Sequence, residues 1–222
     1  MIRLMDPVGG GVPLWEEQAL ERSLGPARAR SAALVRRLVD AARALAADVG
    51  PDFTVPQVAA KAGVSLKTLY RCFSGKDALL LAVFEEDNRA AADVLAGMMA
   101  GSDDPLERLR AFITGLFELS TASPSEGYIL LVMREYFRLA QHHSEGVEHV
   151  LSPFVDLLAA ELERADDAGV VRLRDARRDA TAVFLLAISH VCPLVLADED
   201  ADSPATARFV ADFALSALGA GG

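Results

Sequence analysis

The sequence predicts an all-α fold, with a three-helix N-terminal helix-turn-helix domain and a six-helix C-terminal domain. Three observations lead there. Hydrophobic residues make up 52% of the 222 positions but aromatics only 6%, with Ala and Leu abundant, a composition that favours helices over strands. No run alternates Val, Ile and Thr long enough to suggest a sheet. Apolar residues recur at spacings of three and four along most of the chain, broken at Gly, Pro and Ser positions.

Residues 1–25 contain several glycines and prolines and are expected to form a flexible extension, within which 14–24 could make a short helix. The first strong helix is expected over 27–49. Leu34, Leu38, Ala42, Leu45 and Val49 share one face, and Gly50-Pro51 stops it. Thr54 and Gln57 form a capping-box pattern at the start of the second helix, with Pro56 in its first turn. Gly63 breaks that helix, and Ser65 caps a short third one over 66–72. Ser74 and Asp77 repeat the cap pattern ahead of a long helix over 75–100. Its expected apolar side is Leu79, Leu80, Val83, Phe84, Val94, Leu95 and Met98. Five amphipathic segments follow, near 106–122, 125–141, 146–165, 174–196 and 204–218. The expected division is an extension over 1–25, a helix-turn-helix domain over 26–74 and a helical domain over 75–222.

Charge is distributed unevenly. The net charge is −10, yet residues 26–76 hold nine Lys/Arg and three acids, against thirteen and twenty-nine elsewhere. All three lysines, Lys61, Lys67 and Lys76, lie in this stretch. A basic module on an acidic body is the electrostatic outline of a local nucleic-acid-binding head. Cys72 and Cys192 are far apart, with no CxxC or Cys/His spacing that would suggest a metal site, and isolated thiols suit a reducing, cytoplasmic setting. No cofactor or metal is expected. The N-terminus lacks the apolar core of a signal peptide. The longest apolar run, 181–197, is short for a bilayer span and reads as a buried helix, so no membrane partner is expected.

A helix-turn-helix has geometric requirements that 54–73 meet. A small residue, Ala59 or Ala60, stands where the helices cross, and Gly63 supplies a turn residue that tolerates positive φ. Val58, Ala62, Val64 and Leu69 clamp the pair, while Lys67, Thr68 and Arg71 offer hydrogen-bond donors on the second helix. An ordinary αα-hairpin with a Gly turn shows the same spacing, so spacing alone leaves both readings open.

Ala62-Gly63-Val64-Ser65, Thr68-Leu69-Tyr70, Phe73, Lys76 and Leu79 resemble the signature of the TetR family of bacterial transcriptional regulators, over about residues 30–84. The resemblance implies a homodimer whose recognition helices enter successive major grooves of double-stranded operator DNA. It implies phosphate contacts by Thr54, Tyr70 and Lys76, with Ser65 and Thr68 at the DNA surface. Lys67 falls in a variable pair with Leu66 and is the candidate base reader, a further phosphate contact being the alternative. Cys72 stands where the family often has an aromatic residue or histidine. Arg28 and Arg30 read as a solvated helix start or as an arm reaching DNA.

In the remaining segments the apolar helices 174–196 and 204–218 are expected to bury their faces against a second copy. The middle segments hold Phe112, Phe117, Tyr128, Met133, Tyr136, Phe137 and Phe154, which read first as core. The resemblance implies a cavity for a small effector that releases operator DNA. For this chain an apolar or amphipathic effector is expected, with Phe112, Met133, Phe137 and Phe154 as candidate lining residues and His190 as either a ligand contact or a core histidine. The alternatives are a DNA-binding regulator without an effector, controlled by abundance or a protein partner, and a helical enzyme built on His142, His143 and His149 with Glu145 or Glu148. No phosphate loop, nucleophile elbow or metal-spaced His cluster supports an enzyme.

Overall fold

The structure is a computed structural model that describes residues 14–121, 126–196 and 203–220. Among the described residues there are nine α-helices and no strands. They are α1 (Leu14–Val49), α2 (Val55–Lys61), α3 (Leu66–Cys72), α4 (Lys76–Met99), α5 (Pro105–Thr121), α6 (Glu126–His142), α7 (Ser144–Asp167), α8 (Ala176–Leu196) and α9 (Ser203–Ala217). A single 3₁₀ turn, Gly50–Asp52, links α1 to α2.

The expected extension is divided. Residues 1–13 lie outside the described residues, while 14–25 continue α1 without a break through Pro26. Proline removes one ladder hydrogen bond and Gly25 beside it weakens the helix further, so α1 passes these two residues against their local preference.

Two apolar cores form. The first joins α1, α2, α3 and the N-terminal half of α4 with Leu131 and Leu139 of α6 and Val147 and Val150 of α7. The second joins the C-terminal half of α4 with α5, α7, α8 and α9. Helices α4 and α7 run through both, which explains a correction to the expected apolar side of α4. Leu79, Leu80, Val83, Phe84 and Leu95 are buried, but Val94 and Met98 are exposed and Ala92 and Met99 are buried in their place. A helix that meets different neighbours along its length does not keep one fixed stripe.

Polar groups tie these layers together. Arg43 of α1 pairs with Asp87 at 2.7 Å and Glu86 at 2.8 Å on α4. Asn88 of α4 donates to the Val150 carbonyl of α7 at 2.9 Å. Between α5 and α7, the fully buried Glu161 accepts from Arg108 at 2.8 Å. Arg108 also donates to the Met99 carbonyl at the end of α4 at 2.9 Å. α5 and α4 approach closely at Gly115, where a Cβ would come within 2.7 Å of Leu95 and Met98 side-chain atoms.

Candidate nucleic-acid interface

The interface is built on α2, a tight turn and α3. Val58 and Ala59 are buried while Ala60 is exposed, so Ala59 is the small residue at the crossing. Its carbonyl accepts from Val64 N at 2.9 Å. Gly63 has φ +66, a conformation that strains any side chain. Ala62 and Leu69 are buried and Val64 is half-buried, completing the apolar clamp. Arg37 of α1 donates to the Ala62 carbonyl and so fastens the turn to α1. Its sequence signal was only a positive charge.

Two of the three expected caps form. At α2, Thr54 N donates to Gln57 Oε1 at 2.7 Å and the Thr54 hydroxyl accepts from Gln57 N, completing the capping box. At α3, Ser65 Oγ accepts from Thr68 N at 3.1 Å, and the two hydroxyls are 2.9 Å apart. Ser65 and Thr68 therefore stiffen the entry to α3 as well as lying near its surface.

α3 turns Leu66, Lys67, Tyr70 and Arg71 outward while Leu69 is fully buried. Offsets of one, four and five place these four side chains on one face. Tyr70 is 54% exposed, and α3 carries no acidic residue. Exposed Thr54 stands at the start of α2. Lys76 sits differently. Its ammonium donates to the Pro51 carbonyl and lies 4.7 Å above the Phe53 ring, so it ties the start of α4 to the 3₁₀ turn.

The Ser74/Asp77 cap expected at α4 does not form. Gly75 occupies the N-cap position, with no side-chain cap hydrogen bond. The Asp77 carboxylate is taken up by Arg138 of α6, at 2.5 and 3.1 Å, with His143 Nε2 at 3.3 Å. The Arg138 guanidinium, with His143 beside it, holds the Asp77 carboxyl below the usual carboxylate range. Arg138 also donates to Glu135, which is almost fully buried, at 2.6 Å. A tertiary ion pair has displaced a local cap, and no local pattern signals it.

Of the residues expected to line an effector cavity, two share one core. Phe112 and Phe154 are buried in the second core, where Phe154 stacks on Phe184 at 5.2 Å between ring centres. Phe137 is 68% exposed on α6. His190 lies on α8 with its Nδ1 3.0 Å from the Leu186 carbonyl and its ring against Phe209. The side chain of Met133 and that of Tyr128 lie outside the described residues. Two surface cavities, of about 450 and 440 Å³, flank the head and include none of these residues. The histidine cluster is separated too. His143 faces Asp77 and His149 faces Glu85, 3.4 Å away.

This arrangement presents a rigid, cationic helix face on a capped helix-turn-helix. A family model described as bacterial regulatory proteins of the tetR family matches residues 38–83. An uncharacterised HTH-type transcriptional regulator of Mycobacterium tuberculosis (strain H37Rv) is 30% identical over 173 residues, covering 77% of this chain and 87% of the relative. The chain belongs to the TetR family of bacterial transcriptional regulators. Solved structures share its fold. RolR in complex with resorcinol has a TM-score of 0.68 at 20% identity, covering 88% of this chain and 91% of that one. FadR of Bacillus subtilis in complex with stearoyl-CoA has a TM-score of 0.65 at 21% identity, covering 82% and 97%. As a TetR-family member the protein is a transcriptional regulator that binds DNA through its helix-turn-helix.

Proposed function

We propose that this protein is a homodimeric, cytoplasmic TetR-type repressor, released from double-stranded operator DNA by a small apolar or amphipathic effector. The observation that carries the DNA part is the outward face of α3, with Lys67, Tyr70 and Arg71 together and Leu69 locked beneath. Lys67 reads a base edge in the major groove, while Tyr70, Arg71 and the start of α2 at Thr54 hold phosphates. Ser65 and Thr68 set the entry of α3. Lys76 contributes by holding α4 against Pro51 and Phe53.

The dimer reading rests on α8 and α9. Ala176–Val195 is long and apolar enough to cross a membrane, yet only 28% of it is buried within one chain, so the expected buried helix is open on one side. Leu185 is exposed on α8, and Phe209 and Phe213 are exposed and stacked on α9. A second copy placed on this face buries it in a four-helix interface and sets two heads for two half-sites.

Effector control is supported by neighbours of the same fold that hold stearoyl-CoA and resorcinol. In this chain the effector would open the second core between Phe112 and Phe154 and act through its preference for one arrangement of the heads. The burial of Phe112 in this core and the stacking of Phe154 on Phe184 also support a second reading, a regulator without an effector.

The test is selection of bound duplexes from a random pool, followed by titration of the bound complex with acyl-CoA and phenolic panels. A two-fold-symmetric site released by one panel member supports the leading reading. Such a site that no panel member releases favours the second.

A further inference from the structure

We infer that Arg37 is a positioning residue for operator recognition: by holding the turn that leads into α3, it sets the angle at which α3 meets DNA and so governs specificity without touching a base. The inference rests on the proposed reading of DNA by α3. Arg37 lies just ahead of residues 38–83, which the family model matches.

α3 has few supports of its own. It packs chiefly against α2, and Leu69 is its buried side chain. An apolar contact is not directional, so Leu69 pins the helix at one point without fixing its tilt. The tilt depends on the turn, where Ala62 stands close ahead of Ser65, the N-cap of α3. The Ala62 carbonyl accepts from the Arg37 guanidinium. Arg37 Nη2 also lies 3.5 Å from where a Cβ on Gly63 would stand, so the guanidinium covers the residue at which the chain reverses. A charged donor on a planar fork makes a bond that is both strong and directional.

The anchor behind this bond is rigid. Leu38 and Val39, next to Arg37 on α1, are buried in the first core. A second tie from α1 to the end of α2, between Asp48 and Lys61 at 3.5 Å, joins side chains that are 65% and 43% exposed and holds little. Arg37 therefore carries more of the link between α1 and the turn. A surface cavity of about 440 Å³ adjoins Arg37, Ala62 and Gly63, so water can reach the carbonyl once the guanidinium is removed. Loss of Arg37 should then spare the fold and release the placement of α3.

The test compares the full-length protein with Arg37→Gln, whose side chain ends short of the guanidinium position, and with Arg37→Lys, which can still donate to the carbonyl. Hydrogen exchange is followed in the free protein, where the amides of Leu69 and Phe73 are hydrogen-bonded within α3. In Arg37→Gln these amides should exchange roughly tenfold faster, the loss of one charge-assisted hydrogen bond, while amides of α4 keep the wild-type rate. Binding is then measured from ~50 to ~200 mM salt on a selected duplex and on a scrambled one of equal length. The affinity ratio between the two should fall about tenfold in Arg37→Gln, as for one spoiled base contact, and recover in part in Arg37→Lys. The salt slope on the scrambled duplex should not change. Unchanged exchange or an unchanged ratio would overturn the inference. So would equal losses on both duplexes with a slope shallower by about 0.9 per half-site, which would make Arg37 a phosphate ligand. An Arg37→Gln protein that unfolds outright would make Arg37 a support of the fold and overturn it too. Wild-type protein that binds no duplex would remove the reading of DNA by α3 and this role with it, whatever the exchange rates.

Discussion

Asp77 and Arg138 form a two-pronged ion pair, at 2.5 and 3.1 Å, between the first turn of α4 and the C-terminal half of α6. Asp77 is adjacent to Lys76, which grips the 3₁₀ turn at the base of the head. The same guanidinium reaches Glu135. One arginine of the body thus fixes where the head-bearing helix begins.

Removing either partner should have unequal effects on stability. Asp77→Asn deletes a pair whose side chains are 32% and 40% exposed, and should cost at most about 1 kcal/mol. Arg138→Met also strands the buried carboxylate of Glu135 and should cost about 1–3 kcal/mol. Urea unfolding of both variants checks the order, and a larger loss for Asp77→Asn would reject it.

The same pair gives a signed pH effect. Asp77 binds fewer protons folded than unfolded, because Arg138 favours its charged form. Its stabilisation is therefore full above the ordinary carboxylate pKa of about 4 and is lost as pH falls through the lower folded value. The stability gap between wild type and Asp77→Asn should be steady from pH ~8 to ~5 and shrink below ~4. A gap that widens on acidification would contradict this.

Glu161 provides the strongest buried electrostatic test. It is fully buried, and Arg108 donates to one oxygen at 2.8 Å. Arg164 lies 2.9 Å from the other oxygen, which has no hydrogen-bond partner among the described residues. Arg108→Met leaves that charge short of its main partner and should cost about 3–5 kcal/mol in chemical denaturation. Arg108→Met/Glu161→Leu should recover much of the loss, because the uncompensated charge is gone.

The open face of α8 and α9 predicts association. Phe209→Ser/Phe213→Ser removes the stacked pair, which is exposed in one chain, so the substitution should spare the fold. Light scattering should shift from a dimer towards a monomer. An unchanged mass would place the interface elsewhere.

Local signals were legible in the sequence, and contacts between distant segments were not. Thr54 with Gln57, Gly63 and Ser65 take their expected roles because each acts within four residues of itself. Asp77 shows the same cap pattern as Thr54 and Gln57, but a guanidinium 61 residues away competes for it and wins. Lys76 likewise meets Pro51 and Phe53 across a turn, which spacing cannot reveal. In the second core, large side chains were easy to find and hard to place. Phe112 is buried and Phe137 is exposed, although both sit on amphipathic helices. The open side of α8 has a similar cause, since the partner it needs lies in another chain on the reading proposed here.

The most direct measurement of DNA recognition by α3 is fluorescence anisotropy on a selected duplex, across salt, for wild type, Tyr70→Phe, Arg71→Gln and Lys67→Ala. Wild-type affinity should fall steeply with salt. Tyr70→Phe and Arg71→Gln should weaken binding to every sequence, and Arg71→Gln should also flatten the salt slope. Lys67→Ala should change which base is preferred at one position in each half-site. Wild-type binding that ignores salt, or variants that bind like the wild type, would contradict recognition through α3.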